Sequence, residues 1–90
     1  MKFEWDEGKS KSNNLKHGID FEMAKGLWLD EKRIEIHVPH PVENRWIVIA
    51  ELNEKIWAAV YTLRNGKIRI ISVRRARRKE EILYEEEKTG

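Results

Sequence analysis

Ninety residues with a net charge of +2 and 40% hydrophobic side chains suffice for one folded domain, here residues 1–90, and leave no room for a second. Cysteine is absent, which excludes a disulfide framework and a thiolate metal site. No run approaches the roughly 18 apolar residues of a membrane span, and Met1 to Asp6 hold no apolar stretch behind a basic start, so the chain reads as cytoplasmic with no membrane partner.

Lys2 to Trp5 alternate weakly and predict a short strand. Asp6 is then a helix N-cap, Glu7 suits the positive end of the helix, and Gly18 is a C-terminal stop, which together predict a helix over Glu7 to His17. That helix is polar, with Leu15 as its main apolar contact, and belongs on the surface. Asp20 caps a second helix in which Phe21, Ala24, Leu27 and Trp28 form one apolar stripe facing the core. Ile34, Ile36 and Val38 alternate with Glu35 and His37 as a strand with one wet face, ended by Pro39 and Pro41.

Arg45 to Leu52 and Lys55 to Leu63 are rich in β-branched and aromatic residues and meet at Asn53-Glu54, a tight hairpin. Asn65-Gly66 predicts a type I′ turn into a last strand, Lys67 to about Arg74, because both residues tolerate the positive φ that this turn needs. A helix over Arg75 to Lys88 follows. Strand, two helices, three or four antiparallel strands and a final helix make an α+β fold.

Charge is unevenly placed. From Arg64 to Lys79 the basic residues Arg64, Lys67, Arg69, Arg74, Arg75, Arg77, Arg78 and Lys79 occur without an acidic one, and five glutamates follow between Glu80 and Glu87. Such a stripe is the footprint of a phosphate-bearing ligand, and equally of an acidic protein partner or a solvated face. At the final helix these charges oppose the macrodipole at both ends, so the basic turn either serves a ligand or precedes a fraying tail.

Two-residue hairpin turns set a register that pairs Tyr61 with Ile70, Ala59 with Ser72 and Trp57 with Arg74. One face then mixes Trp46, Trp57 and Tyr61 with Arg74. The other is mostly branched aliphatic and is the better floor for helices. Trp57 and Arg74 either stack a base and hold its phosphate or close a packed aromatic core through a cation–π contact. Enzyme signatures of the phosphate-loop, nucleophile-elbow and His-x-x-x-His kinds are missing, and His37 and His40 straddle Pro39 with no third ligand, so neither a metal nor another cofactor is expected. His17 before Gly18 is either a C-cap residue or a base.

Phe3-Glu4-Trp5-Asp6-Glu7, Lys16-His17-Gly18-Ile19-Asp20-Phe21, Tyr61-Thr62-x-Arg64, Arg69-Ile70-Ile71-Ser72-x-Arg74-Arg75-Ala76, Glu80 and Tyr84 resemble, in order and spacing, the pattern of the BrnT family over nearly the whole chain. Lys-His-Gly alone is weak, whereas the arginine-rich run behind Tyr-Thr-x-Arg is fairly specific. The resemblance implies a RelE-like fold and a ribonuclease toxin that blocks translation. It also implies a BrnA-like antitoxin whose ribbon-helix-helix part binds operator DNA, so that DNA is met only through a hetero-oligomer with that antitoxin. Ala50 stands where a glycine is expected, and its methyl group would narrow a ligand's approach to the backbone.

Cleavage of RNA without metal needs a base at the ribose 2′-hydroxyl, cations around the phosphate and an acid for the leaving oxygen. Arg64 and Arg74 are the candidates for charge stabilisation, and His17, Glu80 and Tyr84 for proton transfer. Arg75, Arg69, Lys67, Trp57, Arg77 and Arg78 are the candidates for RNA binding. Glu80 and Tyr84, four apart on one helix face, serve equally as an anchor for that helix.

Overall fold

Asp6 and Gly18 bound the first helix as their capping chemistry requires. In the computed structural model, which describes residues 1–89, helix α1 spans Glu7–His17; the Asp6 carboxylate accepts the Lys9 N–H at 3.0 Å, and Gly18 turns the chain at φ 75°. The helix does lie on the surface, but Leu15 is 90% exposed and contributes no apolar anchor. Polar residues hold the helix instead. Ser10 Oγ accepts the Phe21 N–H at 2.9 Å, and Asn13 donates to the Ile19 carbonyl at 2.8 Å while accepting the Val73 N–H at 3.0 Å.

Asp20 caps the second helix through the Met23 N–H at 2.8 Å. That helix, α2, is a single turn, Phe21–Ala24, which tightens into a 3₁₀ segment over Lys25–Leu29. Its expected stripe is intact, since Phe21, Ala24, Leu27 and Trp28 are all buried. Gly26 has a packing reason: a Cβ there would sit 2.9 Å from Leu52 Cδ1, so the segment lies close on the sheet.

The strands are β1 (Phe3–Glu4), β2 (Ile34–Val38), β3 (Arg45–Leu52), β4 (Lys55–Arg64) and β5 (Lys67–Arg75), in the sheet order β1-β5-β4-β3-β2. Strands β2 to β5 are the expected antiparallel set, and β1 adds a fifth strand parallel to β5. Both hairpins turn on two residues with positive φ, Asn53 and Glu54 at 53° and 65°, Asn65 and Gly66 at 53° and 76°.

The expected register fails at one residue. Tyr61 faces Ile70 but Val60 faces Ser72, so Ile71 is an extra residue on β5, a β-bulge. Beyond it Ala59 pairs with Val73 and Trp57 with Arg75, in place of the expected Ser72 and Arg74. A one-residue slip exchanges the faces of everything that follows.

The assignment of helices to faces is corrected too. Ile19, Phe21, Ala24, Leu27 and Trp28 cover the aromatic face, packing on Val48, Ala50, Trp57, Ala59, Tyr61, Ile70 and Val73. Trp28 meets Phe3 and Tyr61 edge to face at 5.1 and 5.4 Å between centroids, and Trp46 stacks on Tyr61 at 5.9 Å. The aromatics therefore form the main core. The aliphatic face receives only the last helix, α3, whose Tyr84 packs with Ile49 and Ala58. That helix runs Arg78–Thr89, three residues later than expected at its start, because Arg75 is still in β5 and the Ala76 N–H donates to the Ile56 carbonyl at 2.9 Å.

Candidate nucleic-acid interface

The bulge at Ile71 decides where the basic residues go. Counting from the observed pairs, Arg45 on β3, Thr62 and Arg64 on β4, and Lys67, Arg69, Ser72 and Arg74 on β5 share the sheet face that α1 and α2 leave open. Without the extra residue Arg74 would sit on the helix-covered side. Three of these arginines meet a carboxylate: Arg64 with Glu43 at 3.2 Å, Arg69 with Glu4 at 2.8 Å, and Arg74 with both oxygens of Glu80 at 2.7 and 2.9 Å. Arg45 Nε is buried without a hydrogen-bond partner, and Thr62, also buried, donates to the Asn44 carbonyl at 2.7 Å.

Glu80 ties that face to α3. As the third residue of the helix it also accepts the Arg77 N–H at 2.7 Å, the glutamate half of a capping box. Its hydrogen bonds from Arg74 hold the carboxyl below its ordinary range against the opposing effect of burial, and the same contact raises the Arg74 guanidinium. Tyr84, one helical turn on, is buried and donates to Asp30 Oδ2 at 2.6 Å. Burial first, then Asp30, pushes the Tyr84 hydroxyl well above the usual tyrosine range. Burial also opposes charge on Asp30, but the Glu51 amide, Tyr84 and the Lys32 amide outweigh it and keep the carboxyl low. Both α3 candidates are thus occupied in fastening the helix to the sheet.

The opposite side holds a different group. His17 and Gly18 at the end of α1, Asn53 and Lys55 of the β3–β4 turn, and Trp57 and Arg75 line a pocket of about 210 Å³ with Ile19 and Met23. The Arg75 guanidinium lies 5.6 Å from the Trp57 ring centroid, so the cation–π pair that the sequence suggested exists with the neighbouring arginine. Trp57 Nε1 donates to the Leu52 carbonyl at 3.1 Å, which fixes the ring. His17 is therefore not beside Arg64 and Arg74.

A family model described as the ribonuclease toxin BrnT of type II toxin–antitoxin systems matches residues 5–80. The chain belongs to the BrnT family. No curated protein matches it. The span matched to BrnT takes in the open basic face, the pocket and Glu80, and ends before Tyr84.

Set against this BrnT fold, the sequence-derived candidates divide into three places. Arg64, Lys67, Arg69 and Arg74 share the open face, with Glu80 at its border. Trp57, Arg75 and His17 share the pocket. Arg77 and Arg78 are exposed at the start of α3, where Arg78 reaches Glu81 at 3.9 Å. Lys55 was missed, although its spacing of two from Trp57 along a strand places both on one face. Arg45 was missed as well; it alternates with Ile47 and Ile49 on the open side. Ala50 is fully buried under the helices of the BrnT core, so its methyl group does not narrow any open face. His40 Nδ1 accepts the Val42 N–H at 3.3 Å, His37 lies against Trp46, and no group of three potential metal ligands occurs among the described residues. No helix among them is long and apolar enough to cross a membrane.

Proposed function

We propose that this chain is a metal-independent endoribonuclease toxin of RelE-like fold, that its open sheet face binds and cleaves RNA, and that a BrnA-like antitoxin covers the same face. The observation that carries this reading is the bulge at Ile71, which puts Arg74 on one surface with Arg64, Lys67 and Arg69. Four cations on one exposed strand pair match the need to bind phosphate and to stabilise charge that builds on it.

Arg69 and Arg74 take the scissile phosphate, exchanging their carboxylates for its oxygens. A guanidinium suits this exchange because its fork fits phosphate and carboxylate alike. Glu80, released from Arg74, accepts the 2′-hydroxyl proton. The 2′-oxygen then attacks phosphorus, the bond to the 5′-oxygen breaks, and that oxygen is protonated by water. Glu80 is placed to act as the base because it borders the open face beside Arg74, and the transfer of Arg74 to the phosphate removes the contact that lowers its proton affinity. Tyr84 and Asp30 position α3 and do not touch RNA.

The ion pairs on Arg64, Arg69 and Arg74 favour a second reading, in which the face is a non-catalytic surface for RNA or antitoxin. Purified protein incubated with RNA in EDTA separates the two. Cleavage that is lost in Arg74→Ala supports the ribonuclease reading, and retardation of RNA without cleavage supports the alternative.

A further inference from the structure

We infer that the pocket between the end of α1, the β3–β4 turn and the end of β5 is a second phosphate site, which takes the nucleotide flanking the cleaved bond. The inference rests on the ribonuclease reading for the identity of the strand, but on separate residues for the site itself.

Charge is the first argument. Lys55 and Arg75 converge on the pocket together with the His17 ring, and no carboxylate lines it. Among the described residues neither Lys55 nor Arg75 has an ion-pair partner, in contrast to Arg64, Arg69 and Arg74. Two like charges facing one concavity repel each other, and an anion between them removes that repulsion. The chain is not short of acidic residues, since Glu54 sits in the adjoining turn and still does not line the pocket.

Preorganisation is the second. Arg75 lies on the Trp57 ring, and that ring is in turn held by its bond to Leu52. A guanidinium stacked in this way presents its N–H edge in one orientation, so little side-chain entropy remains to be lost on binding.

Shape selects the ligand. About 210 Å³ lies below the roughly 300 to 1,000 Å³ of ordinary small-molecule pockets, which fits one phosphate with its sugar or base. Met23, which is exposed, supplies an apolar surface for the uncharged part, and Asn53 an amide at the rim. A bare inorganic anion would leave that surface unused.

Position links the pocket to the open face. Arg74 and Arg75 are consecutive on β5 and project to opposite sides, one strand rise of about 3.3 Å apart along the chain. Strand β1 covers the rim of β5 at Ile68 and Arg69 and Asn13 of α1 covers it at Val73, so a polynucleotide held at Arg74 passes over the end of β5, beyond both, and sets a following phosphate at Arg75 and Lys55.

The test is an NMR titration of the full-length protein with an uncleavable 2′-deoxy pentanucleotide, and separately with inorganic phosphate, reading the His17 ring, the Trp57 indole and the Arg74 and Arg75 Nε signals. The inference expects saturable shifts at His17, Trp57 and Arg75 with the pentanucleotide, and much weaker binding of phosphate. The folded Lys55→Gln/Arg75→Gln double variant should bind the pentanucleotide about tenfold or more weakly. Its slope of log K against log salt should fall by about 0.7, the value for one phosphate contact on a single strand. Shifts at Arg74 with none in the pocket would overturn the pocket and leave the open face standing. Shifts in the pocket with none at Arg74 would support the pocket and overturn the open-face reading. Equal affinity for phosphate and pentanucleotide, or an unchanged salt slope, would overturn the assignment to a flanking nucleotide.

Discussion

Replacing Glu80 by Gln separates the charge of this residue from its shape. The amide oxygen can still accept the Arg77 N–H, so the helix cap survives, but the bidentate pair with Arg74 does not. The paired side chains are 25% and 15% exposed, between a surface pair contributing about 0.2 to 1 kcal/mol and a buried pair whose one-sided loss costs about 3 to 5 kcal/mol. A loss of about 2 kcal/mol follows from that position. For a domain of this size it lowers Tm by roughly 8 to 16 °C, at 4 to 8 °C per kcal/mol.

The sign of the pH dependence is fixed by the depressed carboxyl. Its folded value lies below the unfolded one, near 4.3, so the stabilisation is present in full above the unfolded value and is lost as pH falls through the folded value. Thermal melts of the wild type, Glu80→Gln, Arg74→Gln and the double variant at pH 7 and in acid give the coupling directly. The two single variants should cost more than the double at pH 7, and the gap between wild type and Glu80→Gln should close in acid. Equal stability of wild type and Glu80→Gln at pH 7, or a gap that widens as pH falls, refutes the reasoning. Below its melting temperature Glu80→Gln should also cleave RNA about 10² to 10⁴ times more slowly, as loss of a general base requires.

Arg74→Ala should reduce cleavage about a hundredfold or more while remaining folded by circular dichroism, and Arg74→Lys should restore only part, since an ammonium lacks the two-pronged grip. His17→Gln should raise KM without removing any limb of the pH profile of kcat; loss of a limb near neutrality would return His17 to the role of base. Changing Arg77, Arg78 and Lys79 together to Gln should slightly raise Tm, because these charges oppose the macrodipole, and should flatten the salt dependence of RNA binding and weaken antitoxin binding. Retained antitoxin affinity in that triple variant would mean separate surfaces. Tyr84→Phe removes a hydrogen bond to a charged group, worth about 1.5 to 3 kcal/mol, and should lower urea stability without changing the cleavage rate of the folded protein.

The local chemistry of this chain was readable because it is local. Asp6, Asp20 and Gly18 act within one helical turn, and Asn53-Glu54 and Asn65-Gly66 act within one hairpin, so each declares itself in a few residues. Ile71 does not. An isoleucine in a run of branched residues looks the same whether or not it is opposed, and the bulge exists only in relation to β4. The aromatic face reads in sequence either as a ligand surface or as a core, because tryptophans beside an arginine satisfy both; only the position of α2 distinguishes them. Ser10 and Asn13 escaped notice for the same reason, since their partners at Phe21 and Val73 lie 11 and 60 residues away. Of the candidate site, the basic stripe was visible, but its division between two faces turned on that one unpaired residue.

Asn13 has a consequence for how the molecule keeps to itself. Because β1 shields only the start of β5, the Val73 amide is satisfied by a helix side chain and not by a neighbouring strand. A transient opening of α1, whose own hold on the fold is mostly polar, therefore frees a donor on a strand rim. Amide exchange at Val73 reports that opening directly, and a rim so uncovered is a template onto which a second chain can add a strand. The rim of β5 is in this sense guarded by one carboxamide.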